Sequence, residues 1–146
     1  MVSVSQIINP LLGPLVSSGP ASETRIHSAQ RQLGLLFPPS YLAFLQGYGA
    51  AFGNGVEIAG LAPDTPGEQP MWVDVVSTTL MYRSRNALPE DSVYISTDGL
   101  DHNYFLCCSK TDPDFEGEVV EWGPAHGGGM IYAGSFISFV QRQIDR

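Results

Sequence analysis

Glycine and proline interrupt this chain more often than a helical bundle needs. Sixteen Gly and 11 Pro stand among 146 residues. A proline inside a helix costs roughly 3 kcal/mol and a glycine about 1 kcal/mol relative to alanine. A mixed α and β domain with many turns therefore fits better than a helical bundle. Hydrophobic residues make up 43% of the chain and charged residues only 15%, where a charged share of about 25% is typical. That balance supports a packed core and argues against intrinsic disorder. A chain of this size fits one domain that buries roughly 68 to 70% of its unfolded surface.

The periodicities divide the chain in two. Residues 1–21 are expected to be an N-terminal arm or short helix closing in the turn Ser17-Ser18-Gly19-Pro20. Ser22 is then a good N-cap, Glu23 suits the positive end of a helix, and Ile26, Ala29 and Leu33 form an apolar stripe before a Gly34 stop. Pro38-Pro39 cannot continue a helix but can start one, and Tyr41, Phe44, Leu45 and Tyr48 supply the next stripe, ended by Gly47 and Gly49. Ala50 to Gly55 reads as a turn, Val56 to Gly60 as a half-buried strand, and Ala62 to Pro70 as loop. From Trp72, the residues Val73, Val76, Leu80 and Arg83 are spaced for a third helix with Asp74 near its start. Four strands follow by pattern, Ser92 to Ser96, Asn103 to Cys108, Glu118 to Trp122 and Met130 to Ala133, before a closing helix capped by Ser135 with Phe136, Phe139, Val140 and Ile144 inward. The expected architecture is α+β: a single domain with a mainly antiparallel sheet of about five strands, packed with N-terminal and C-terminal helices.

Charge narrows the partners. Seven basic residues against 15 acidic ones leave a net charge of −8, which repels a phosphate backbone or an anionic membrane surface. From Asn86 to Glu121 the chain carries nine acidic side chains against Lys110 alone. Neither a nucleic acid nor a membrane is expected as a partner, and a basic protein is. The apolar stretch Ile7 to Val16 is broken by Pro10, Gly13 and Pro14, well short of the roughly 20 apolar residues that span a bilayer. The first basic residue is Arg25, so no charged signal-peptide start is visible, and a cytoplasmic location is expected.

The motifs of catalysis and metal binding are missing their parts. His27, His102 and His126 are isolated from one another, and adjacent Cys107 and Cys108 have the wrong spacing for zinc. Neighbours on a strand point to opposite faces, so these thiols read as reduced core residues, not as a disulfide. Asp112, Asp114, Glu116 and Gly117 copy part of a calcium loop, but Gly123 stands where its bidentate carboxylate belongs. No G-x-S-x-G motif occurs, and Gly127-Gly128-Gly129 lacks the Lys and Ser/Thr of a phosphate loop. Asp98, Asp101 and His102 share a turn and supply an acid and a base by type, but read better as turn formers. The expectation is a protein that is not an enzyme and uses no metal or cofactor.

The order of the motifs carries a resemblance. The run Ile26 to Gly49, IHSAQRQLGLLFPPSYLAFLQGYG, resembles the signature of the SUKH superfamily: a helix ending in Leu33-Gly34, a turn at Phe37-Pro38, and a Tyr41-Leu42-Ala43-Phe44-Leu45 helix running into a glycine turn. The usual Asn-Gly after that helix is replaced by Tyr48-Gly49-Ala50, a change confined to a loop. Downstream, Val56 to Leu61, Val93 to Gly99, Asn103 to Leu106, Val119 to Trp122 and Ser135-Phe136 are similar to the remaining strands and last helix. The resemblance covers about residues 22 to 145, so residues 22–146 are expected to form the SUKH-like domain.

This superfamily groups immunity proteins of bacterial polymorphic toxin systems with a fungal regulator of cell-wall synthesis and adaptor-like proteins. The resemblance therefore implies an immunity protein that neutralises a cognate, basic, nuclease-type toxin by stoichiometric binding; the alternative it implies is an adaptor or regulatory domain without a toxin. It points to Asp98, Asp101, Asp112, Asp114, Glu116, Glu118 and Glu121 as partner-binding residues. Trp72, Trp122 and Tyr94 are candidate aromatic anchors. Leu33, Gly34, Pro38, Tyr41, Phe44, Leu45, Gly49 and Trp122 are the motif residues with a structural role. Alternation splits the last acids, because Glu118, Val120 and Trp122 share one face of a strand while Val119 and Glu121 share the other. Oligomeric state and the toxin's activity are left open.

Overall fold

The computed structural model describes residues 4–13, 15–53, 55–61, 73–99, 102–123 and 128–145. A short helix α1 (Val4–Leu12) and strand β1 (Val16–Ser17) lead into α2 (Glu23–Leu33). Ser22 caps α2 as its extended backbone requires, its Oγ accepting from the Arg25 amide at 3.2 Å. At the other end Gly34 takes the left-handed conformation, φ 68°, and donates to the Gln30 carbonyl. A glycine is what that conformation calls for. Ile26, Ala29 and Leu33 are buried, as their spacing predicts.

Helix α3 (Pro39–Gly47) starts on the proline pair and has no N-cap side chain of its own, since Pro38 stands there. Its first free donors are met from far along the chain by Glu116, whose Oε1 accepts from Ser40 N at 2.8 Å and from Ser40 Oγ at 3.0 Å. A carboxylate there also matches the positive end of the helix. Tyr41, Phe44 and Leu45 are fully buried, and the Tyr41 hydroxyl donates to the Ala59 carbonyl at 2.6 Å.

The glycine-rich stretch after α3 is not simply a turn. It contains β2 (Ala51–Gly53), which pairs with β3 (Val56–Ile58) through Ala51 with Ile58 and Phe52 with Glu57, and with β1 on its other side. The third long helix α4 (Val75–Ser84) begins later than its apolar spacing predicts, because Asp74 is its N-cap, accepting from Ser77 N at 2.8 Å. Its inward residues also differ. Val75, Val76 and Thr79 are buried, while Leu80 is 40% exposed. Thr79 belongs inside because its Oγ1 accepts from the buried Tyr94 amide at 3.0 Å. The expected loop from Ala62 to Pro70, and Trp72, lie outside the described residues.

Strands β4 (Ser92–Thr97), β5 (Asn103–Cys107), β6 (Val119–Gly123) and β7 (Gly128–Ala133) follow, then α5 (Phe136–Ile144). In place of one sheet of about five strands there are, among the described residues, two antiparallel sheets, β1-β2-β3 and β4-β5-β6-β7. They meet where the Ala59 amide donates to the Ile95 carbonyl and Ser96 Oγ to the Glu57 carbonyl, at 2.8 and 2.6 Å. The fold is a single α+β domain.

Rings on opposite faces of the larger sheet show its layers. Tyr82 of α4 contacts Tyr94 and Phe105 on one face, and Phe139 of α5 contacts Tyr104 and Tyr132 on the other. A third group, Phe37, Tyr41, Phe44 and Phe136, joins α3 to α5. Such edge-on and offset ring pairs add about 0.5–1.5 kcal/mol each beyond their buried area. Gly49 and Gly60 bring two backbones together: a Cβ on Gly60 would sit 1.7 Å from the Gly49 carbonyl oxygen.

Candidate protein-binding surface

The acidic residues fall into two groups at opposite ends of β5. The loop from Cys107 to β6 carries the first. Ser109 Oγ accepts from the amides of Thr111 and Asp112, and Asp112 Oδ1 accepts from the Asp114 amide at 3.0 Å. These side-chain turns wind the loop on itself and leave Asp112 and Asp114 exposed. Glu116 lies in the same loop but is turned to α3, and Glu118 is exposed just before β6.

At the start of β5 the second group gathers around His102. Asp98 Oδ2 lies 2.9 Å from His102 Nδ1, and its Oδ1 accepts from the His102 amide at 3.2 Å. Glu121 Oε1 lies 3.8 Å from His102 Nε2. Both ring nitrogens thus face carboxylates. Asp101 lies outside the described residues. The strand register sets both acids beside His102: Thr97, next to Asp98, pairs with Asn103, and Tyr104 pairs with Glu121.

Between these groups the sheet is only partly covered among the described residues. Cross-strand partners share a face, so Phe105, Val120 and Ile131 line up on the side where α4 lies. Phe105 is buried beneath Tyr82, whereas Val120 and Trp122 are half-buried and Ile131 is 67% exposed. Trp122 lies across Gly129, where an added Cβ would come within 2.7 Å of its ring. Of the three aromatic anchors expected, Trp122 is thus the one with an open face among the described residues. Tyr94 is buried and stacked on Tyr82, so it is core; Trp72 is not among the described residues. Met130 and Ile131, both exposed, were missed by sequence reasoning. The signal was the unbroken apolar run Met130-Ile131-Tyr132, which a strand buried on one face does not need.

Burial holds both thiols up: Cys108 is raised far above the ordinary thiol value by burial and then by Cys107 beside it, and Cys107 by burial and the Glu118 carboxylate. Neither is an activated nucleophile. Among the described residues no three His, Cys, Asp or Glu side chains gather to hold a metal ion, and no helix is long and apolar enough to cross a membrane.

These elements define an α+β domain of five helices and two antiparallel sheets among the described residues. The SUKH_5 family model, described as SMI1-KNR4 cell-wall, matches residues 6–145. The chain belongs to that family. No curated protein matches it. The motif residues explain themselves structurally: Leu33, Pro38, Tyr41, Phe44 and Leu45 are buried, Gly34 ends α2, and Gly49, at φ 74°, has no room for a side chain against the Gly19 carbonyl.

Proposed function

We propose that this protein is an immunity protein that neutralises a cognate basic toxin by stoichiometric binding, without catalysis. The observation that carries the reading, beside the family, is the loop from Ser109 to Glu118: Asp112 and Asp114 are exposed on it, and its backbone is wound by hydrogen bonds to Ser109 Oγ and Asp112 Oδ1. Preorganised charge of one sign speeds capture of an oppositely charged partner and excludes wrong ones. Binding a basic cleft suits an inhibitor that must act before damage occurs. The family's description, cell-wall, favours a second reading, a regulatory domain that binds housekeeping proteins.

Affinity capture with the tagged protein, washed through rising salt, separates the two. The immunity reading expects one basic domain at stoichiometric amounts, released by salt and toxic or nucleolytic until the purified protein is added back. Several housekeeping partners, with no inhibited activity, would favour the regulatory reading.

A further inference from the structure

Among the described residues β7 is the outer strand of the four-stranded sheet, paired on one side only, with β6. An edge strand leaves alternate backbone N–H and C=O groups unpaired, and natural proteins usually blunt such edges with lysine, proline, a bulge or a covering element. The sequence of β7, Gly-Gly-Met-Ile-Tyr-Ala, has no charge and no proline. Its protection sits at one end: the register slips where Val119 and Val120 face Ala133 and Ile131, and Arg142 lies over the Tyr132 ring and donates to the Tyr132 carbonyl. Upstream of that, Met130 and Ile131 point to opposite faces and are 55% and 67% exposed. Two neighbouring apolar side chains exposed on both faces of one open edge are what an added strand would cover.

Charge indicates the occupant. Met130 stands opposite Glu121, which with Asp98 surrounds His102, and Glu118 is exposed at the head of β6. A second copy of a chain with net charge −8 would bring these carboxylates towards their own kind. We propose that the edge of β7 over Gly129–Ile131 docks an extended basic segment of a partner protein, which pairs with it as a further strand and covers Met130 and Ile131. The proposal rests on the protein-binding reading above and names the partner's chemistry at one place.

The test uses the full chain and two short synthetic peptides, one alternating lysine and valine, the other alternating glutamate and valine. Amide hydrogen exchange read by NMR is expected to slow at Gly129–Ile131 with the lysine peptide, by about tenfold or more at saturation, and to stay unchanged with the glutamate peptide. Because both side chains are exposed, Ile131→Lys and Met130→Lys should keep the fold, checked by circular dichroism, and each should weaken the lysine peptide by about tenfold. Unchanged exchange along β7, equal protection by both peptides, or sedimentation showing self-association that Ile131→Lys ends would each overturn the proposal. If a captured toxin is neutralised while the β7 amides exchange as in the free chain, this proposal fails and the immunity reading stands. If the lysine peptide protects β7 but no toxin is found, the reverse holds.

Discussion

Glu116 is bonded to Ser40 of another element, whereas Asp112 Oδ1 accepts from the Asp114 amide within its own loop. The same charge therefore has two different consequences. Replacing Asp112 and Asp114 together by Lys is expected to leave urea stability within about 0.5 kcal/mol, as for surface changes generally, while slowing association with a basic partner. Glu116→Ala removes the cap of α3 and is expected to cost about 1 kcal/mol in the same titration. A stability loss confined to the Asp112 and Asp114 variant would reverse this assignment. The buried Cys108 thiol and the half-buried Cys107 thiol set a pH limit. Because the folded state holds the Cys108 and Cys107 protons to higher pH than the unfolded chain does, the unfolded state binds fewer protons above its thiol pKa of about 8.5, and stability falls as pH rises from there. Each thiol contributes a slope of at most about 1.4 kcal/mol per pH unit. Urea midpoints between neutral and alkaline pH should show the decline in the native protein and a shallower one in Cys108→Ala.

Helix α2 was legible from the chain because all its signals are local: Ser22, the stripe Ile26, Ala29 and Leu33, and Gly34 lie within one element. Helix α4 was misread on one face because Thr79 is drawn inside by a hydrogen bond to Tyr94 of β4, a partner that no periodicity reveals. Thr79→Val, nearly the same shape, leaves that buried amide unpaired and is expected to cost about 1–3 kcal/mol by thermal or urea unfolding. Strands β1 and β2, two and three residues long, are too short for alternation to show. Two glycines make the contrast between conformation and contact. A Cβ at Gly34 meets nothing within 4 Å, so Gly34→Ala should cost only the strain of its positive φ, about 1 kcal/mol. A Cβ at Gly60 meets the Gly49 backbone at 1.7 Å, where no side chain can give way, and Gly60→Ala is expected to lose the native fold, read as loss of the cooperative unfolding transition.

At the scale of the molecule, the net charge of −8 was plain from composition, but the division of its acids was not. Which carboxylates meet depends on pairing register, such as Tyr104 with Glu121, and on a loop folding back to α3, neither of which is written in local spacing. Capture of a basic partner should slow steeply as salt rises through about 0.15 M, where charges beyond about 8 Å are screened; stopped-flow association rates check it, and a rate indifferent to salt would remove electrostatic steering. The bond from Glu116 to Ser40 spans 76 positions of the chain. During synthesis α3 emerges long before its cap exists, so its first turn stays open until the segment carrying Glu116 arrives and docks. Helix completion is therefore expected to be a late event in folding. Glu116→Ala should accordingly hasten unfolding while leaving the refolding rate nearly unchanged, a signature of contacts made after the barrier is crossed.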